Sequence, residues 1–134
     1  MRYMLLIYTN EQAQEARSAE EANRGVAQAW EVIDEMTRRG IFRGAEPLEP
    51  TSTATTVRVK DGKALMTDGP FAETKEQLGG YYILDCKDLD EALEWAARLP
   101  VCGGAGKCIE VRPLRELKRP ADAREVEAAQ SVNG

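Results

Sequence analysis

From its first residues the chain runs apolar without a break, Tyr3 to Thr9, with Met4, Leu6 and Tyr8 alternating against Tyr3, Leu5 and Ile7. Apolar residues at both parities predict a strand buried on both faces. The period then changes. Ser18-Ala-Glu-Glu21 is a capping box, and the apolar stripe Ala22, Val26, Ala29, Trp30, Ile33 and Met36 behind it recurs at helical spacing. It predicts a long helix with Trp30 in the core, ended by Gly40 after Arg38 and Arg39, whose charges suit the helix's negative end. Ile41 to Ala45 reads as a second strand, closed by Pro47 and Pro50. Thr53 to Lys60 and Lys63 to Thr67 flank Asp61-Gly62, a two-residue hairpin turn. Pairing across it sets Val59 opposite Ala64, Val57 opposite Met66 and Lys60 opposite Lys63, which predicts one apolar and one polar face and a hairpin lying on the body of the protein. Gly80 to Asp85 is another strand with apolar residues on both faces. Asp88 caps a second helix whose buried stripe is Leu89, Ala92, Leu93, Ala96 and Leu99, and Pro100 stops it. Cys108 to Arg112 is the last strand, Ile109 and Val111 on one face, Cys108, Glu110 and Arg112 on the other.

Strand, long helix, strand, hairpin, strand, helix, strand is, without the hairpin, the β-α-β-β-α-β order of a ferredoxin-like α+β domain. Its two helices cover one face of the sheet. Tyr3, Leu5, Ile7 and one side of Tyr81 to Leu84 are expected on the other, an apolar face larger than a monomer tolerates, so a homodimer about a two-fold axis is expected to cover it. The domain spans residues 1–117. Residues 118–134 are expected to form a mobile or short-helical tail, with balanced charges and a helical pattern from Pro120 to Gln130.

At 134 residues the chain is long enough to hold one core without disulfides or metals. Eighteen basic against 23 acidic residues give a net charge of −5. Seven acidic residues from Glu11 to Glu35, against Arg17 and Arg24, put an acidic face on the long helix. Nucleic acid needs a basic footprint and finds none, so it is not expected as a partner. No apolar run approaches the roughly 20 residues of a membrane helix, and Met1-Arg2-Tyr3 leads straight into a strand rather than a signal peptide. No membrane partner and a cytoplasmic location are therefore expected. The chain has no histidine, and its cysteines, Cys86, Cys102 and Cys108, form no C-x-x-C. A Ser-His or Cys-His nucleophile is excluded, no zinc spacing exists, and neither metal nor cofactor is predicted. The glycine-rich loop Val101 to Lys107 lacks phosphate-loop spacing and precedes a strand rather than a helix, which argues against nucleotide binding.

Candidate chemistry gathers between Thr67 and Gly80. Asp68-Gly69-Pro70-Phe71 is a turn by mechanism, Glu73, Lys75 and Glu76 follow, and Gly79-Gly80 permits a close backbone approach. A pocket is expected under this turn, with Asp68 at its mouth, Phe71, Glu73, Lys75 and Glu76 beside it, and Arg112 with Glu110 reaching it from the last strand. A desolvated carboxylate there is a general base, with Asp68 the candidate catalytic residue, and a nearby Arg or Lys stabilises an oxyanion. Arg43 is a further candidate ligand contact. The plainer readings stand beside these: Asp68 caps its own turn, Glu73, Lys75 and Glu76 form a solvated ion-paired segment, and Arg43 is solvated.

The stretch from Thr67 to Gly80, taken with Met4-Leu5-Leu6-Ile7-Tyr8, Asp88 to Ala96 and Glu110-Val111-Arg112-Pro113, resembles the DGPF, or YCII-related, family of small bacterial proteins. The likeness implies the dimeric α+β barrel fold and no settled activity. It also implies a histidine on the first helix paired with an aspartate, but the corresponding region, near Asn23, holds none. Family genes often neighbour those of extracytoplasmic-function sigma factors, which implies a sigma factor as partner. Three roles are open: a small-molecule binding protein or enzyme, a regulatory protein whose acidic helix meets a basic partner, and a purely structural role for Asp68, Glu73 and Lys75 in holding the hairpin.

Overall fold

A computed structural model describes residues 1–100 and 107–120. The described elements run β1 (Arg2–Thr9), α1 (Glu11–Glu15), α2 (Ala19–Arg38), β2 (Phe42–Pro47), a 3-10 turn (Thr51–Thr53), β3 (Thr55–Lys60), β4 (Lys63–Asp68), β5 (Gln77–Asp85), α3 (Leu89–Arg98) and β6 (Lys107–Pro113). The four-stranded sheet has the order β2-β5-β1-β6, every neighbouring pair antiparallel, and β3 with β4 forms a separate two-stranded sheet. With β5 inserted between the parallel strands β1 and β2, this is the ferredoxin-like α+β order. Most of the glycine-rich loop, Cys102 and the helical pattern after Pro120 lie outside the described residues. Among the described residues no helix is long and apolar enough to cross a membrane.

The local signals act as their chemistry dictates. Ser18 Oγ accepts from the Glu21 N–H at 3.1 Å and Asp88 Oδ1 from the Glu91 N–H at 2.9 Å, each satisfying a donor that the helix cannot. The hairpin takes the predicted register, with Asp61 and Gly62 at φ of 52° and 75°. Helix α1 is an addition. Asn10 caps it by accepting from the Ala13 N–H, but it buries no side chain, so no apolar period announces it.

Which face of β1 meets the helices is the reverse of the expectation. Tyr3, Leu5 and Ile7 are buried, and their register partners Leu84, Tyr82, Val111 and Ile109 lie on the same side. Met4, Leu6 and Tyr8, with Ile83 and Tyr81 opposite, are half-buried on the open face. A strand apolar at both parities does not say which parity faces the helices. The core joins Tyr3, Leu5 and Leu84 to Val32 and Met36 of α2 and to Ala92, Trp95, Ala96 and Leu99.

Three further expectations are corrected. Trp30 is 59% exposed, because only the C-terminal half of α2 packs closely on the sheet. In α3 the buried face includes Trp95, while Leu89 and Leu93 point outward. Trp95 carries the guanidinium groups of Arg39 and Arg98 over its ring at 5.4 and 4.6 Å, and both arginines pair with Glu35. The hairpin's apolar face is not laid on the body of the chain: Val59 and Met66 are each 73% exposed.

Candidate functional site

The splay of α2 from the sheet has a cause in the side chains. Along the stripe of α2 that faces the sheet, the first residues are Ala22, Gly25, Val26 and Ala29; opposite them lie Ile7, Gly44, Ala45, Gly79 and Gly80. Small residues on both walls leave the space between them unfilled. The result is a cleft of about 840 Å³, with Ile33, Phe42 and Tyr82 at its inner end and Trp30 at its rim. That volume lies within the range of small-molecule sites, roughly 300–1,000 Å³.

The end of the cleft near the top of β1 is polar. Lys107, opposite Thr9 in the ladder, and Arg17, in the turn between α1 and α2, are half-buried there. Arg17 Nε donates to the Gln14 carbonyl at 3.3 Å. Burial, and then the charge of Arg17, holds the Lys107 ammonium below the usual lysine range. Burial pushes the Tyr82 hydroxyl the other way, so it stays a neutral donor.

Glu11 separates this cleft from a smaller hollow. Its carboxylate accepts from the Thr51 N–H and Thr51 Oγ1, both at 2.8 Å, and its own N–H donates to Gln77 Oε1 at 3.0 Å. Gln77 Nε2 in turn donates to the Thr74 carbonyl. One glutamate therefore ties α1, the 3-10 turn and the end of the Thr67–Gly80 segment together. The hollow beneath that segment measures about 350 Å³ and is lined by Thr51, Ser52, Pro70, Ala72, Glu73, Thr74 and Gln77.

Of the residues singled out in the sequence, Glu73 lines this hollow. Asp68 ends β4 and is exposed, as are Lys75 and Glu76, and Phe71 is 76% exposed. The turn is held by backbone. Gly69, at φ 99°, donates its N–H to the Ala54 carbonyl at 2.7 Å and accepts from Thr56 Oγ1 at 2.8 Å. Only glycine enters that φ without strain. Glu76 accepts from Cys108 Sγ at 3.6 Å, and Glu110 pairs with Arg112 at 3.0 Å on the same open face of the sheet as Cys108. Arg43 is not brought near. It pairs with Asp85 at 3.5 Å, and Asp85 and Gln77 end the same nine-residue strand, roughly 26 Å apart. Asn23 is exposed on α2 and does not line the cleft.

The glycine pair has a structural explanation. A Cβ on Gly80 would lie 2.9 Å from the Glu46 carbonyl oxygen, and one on Gly79 would lie 3.2 Å from Thr9 Oγ1. What approaches closely here is strand β2 and a side chain of β1.

The YCII-related domain matches residues 1–118. The chain belongs to the YCII-related family. An uncharacterized protein of Rhizobium meliloti (strain 1021) is 40% identical over 118 residues, 88% of this chain and 95% of that protein. The segment from Thr67 to Gly80 thus spans a surface turn, the roof of the small hollow and, through Gly79 and Gly80, one wall of the large cleft. The cleft residues Arg17, Trp30 and Lys107 were not among the site residues expected from the sequence, where Trp30 reads as core and Lys107 ends a loop without phosphate-loop spacing. The signal for them was the run of Ala and Gly on an otherwise apolar helical stripe, a face that cannot fill the space it closes.

Proposed function

We propose that this YCII-related protein binds a small molecule, and that the cleft between α2 and the sheet is its main site. The observation that carries the reading is the unfilled volume itself: about 840 Å³, walled mainly by aliphatic and aromatic groups, with Glu11, Glu15, Arg17, Glu46, Glu49 and Lys107 along its border. The hollow under Asp68-Gly69-Pro70-Phe71 is the second candidate, smaller and more polar, and acid–base chemistry by Asp68 or Glu73 belongs to that alternative. A thermal-shift screen against a metabolite panel tests both, run on the wild type, Ala29→Phe and Asp68→Asn. Ala29→Phe fills the cleft without touching the Asp68-Gly69-Pro70-Phe71 turn. A compound whose shift is lost in Ala29→Phe and kept in Asp68→Asn supports the cleft; the reverse pattern moves the site to that turn.

The second reading is an interaction protein, with a second copy or a sigma factor as partner. It draws support from two apolar surfaces, the half-buried Met4, Leu6 and Ile83 on the sheet face away from the helices and the exposed Val57, Val59 and Met66 on the hairpin. A metabolite panel that shifts nothing, together with a sigma factor co-purifying at fixed stoichiometry, would replace the first reading by this one.

A further inference from the structure

We infer that the cleft's ligand is an amphipathic anion, an apolar body carrying one carboxylate, with the carboxylate held between Arg17 and Lys107. The inference rests on the cleft being the site and names what it selects. Two half-buried cations, close enough for Arg17 to act on the Lys107 ammonium, line the polar end of a cleft whose inner walls are apolar. Neither makes an ion pair among the described residues, and Lys107 makes no side-chain hydrogen bond there either. No carboxylate among them offsets the repulsion that Lys107 feels from Arg17. Neighbouring like charges without a counter-charge disfavour the empty cleft and favour an occupant that supplies one.

The other charged groups that border the cleft do not fill this role. Glu11 is committed to Thr51, and Glu15, Glu46 and Glu49 are exposed at the rim. They also shape selectivity, since a ligand with a second anionic group along its body would meet them. The body itself would lie against Val26, Trp30 and Phe42, which favours a hydrocarbon or aromatic chain over a sugar.

The test compares octanoate with octanamide, matched in shape and different in charge, by calorimetry on the full-length protein. Tryptophan fluorescence serves as the second readout, because Trp30 lines the cleft while Trp95 is buried in the core. Octanoate is expected to bind about tenfold or more tightly than octanamide, the worth of a charged hydrogen-bonded contact. Lys107→Gln and Arg17→Gln are each expected to narrow that ratio severalfold and the double variant to bring it near one, with octanamide affinity unchanged. Octanoate affinity should also fall as pH rises through the titration of Lys107, and that fall should be absent in Lys107→Gln. Equal binding of octanoate and octanamide, both blocked by Ala29→Phe, would overturn the carboxylate assignment while leaving the cleft as the site. Octanoate binding that persists in Ala29→Phe would place the ligand elsewhere and overturn the cleft reading with it. No binding of either probe overturns the inference.

Discussion

Single residues decide how the site is held. Glu11 carries no visible signal in the sequence beyond its charge, yet it clamps three segments between the cleft and the small hollow. Replacing it with alanine leaves the Thr51 N–H and hydroxyl without their acceptor, a loss of about 1–3 kcal/mol for a part-buried group of this kind. Chemical denaturation of Glu11→Ala and Glu11→Gln is expected to show the larger loss for alanine, since glutamine keeps one acceptor. Cys86 illustrates the opposite environment. It is 2% exposed, and burial, followed by the nearby Glu91 carboxylate, pushes its thiol up to about 11. The folded value lies above the unfolded one of 9.0, so the contribution of Cys86 to stability is complete below pH 9 and is lost as pH rises through 11. The wild type is therefore expected to lose more stability than Cys86→Ala between pH 9 and pH 11, read as the shift in denaturation midpoint.

At the scale of elements, helix α2 does two jobs with its two halves. Its C-terminal half buries Val32 and Met36 and, through Glu35, is tied to Arg98 of α3. Its N-terminal half, with Ala22, Gly25 and Ala29, leaves the cleft open. The Ser18 cap, the stop at Gly40 and the hairpin register were all legible, because each depends on residues within a few positions of one another. The burial of Trp95 and the exposure of Trp30 were not legible. Both tryptophans sit near the edge of an amphipathic stripe, and which edge is covered depends on how far the helix tilts. Strand β5 supplies a direct check of the packing argument. Gly80→Ala drives a Cβ to within 2.9 Å of the Glu46 carbonyl and 3.2 Å of Pro47 Cα, both backbone, so β2 must shift. A loss of about 1–3 kcal/mol is expected, the usual cost of overpacking, measured by the same denaturation.

For the whole molecule, the two apolar surfaces bear on assembly. The half-buried Met4, Leu6 and Ile83 on the open sheet face and the exposed Val57, Val59 and Met66 of the hairpin support the proposal that a second copy covers them. Light scattering is expected to read twice the chain mass. Leu6→Lys, which places a charge on the open face and leaves the helix-side core untouched, is expected to read one chain mass with secondary structure retained. A wild type that runs as a monomer at micromolar concentration would remove the second copy as the cover.

Local grammar and family could be read from the amino-acid order alone: the succession of strands and the two longer helices, the caps, the hairpin register and the Asp68-Gly69-Pro70-Phe71 turn. These follow from short-range sterics and hydrogen bonding, and the ferredoxin-like order follows from the sequence of elements. Only the tertiary structure decided which face of β1 meets the helices, that α2 stands off the sheet over half its length, and that Arg17 and Lys107, 90 positions apart, meet at one end of the space so formed. The physical reason is common to all three. Each depends on volumes contributed by opposing walls and on charges brought together from distant segments, and a pattern along one strand or helix carries neither.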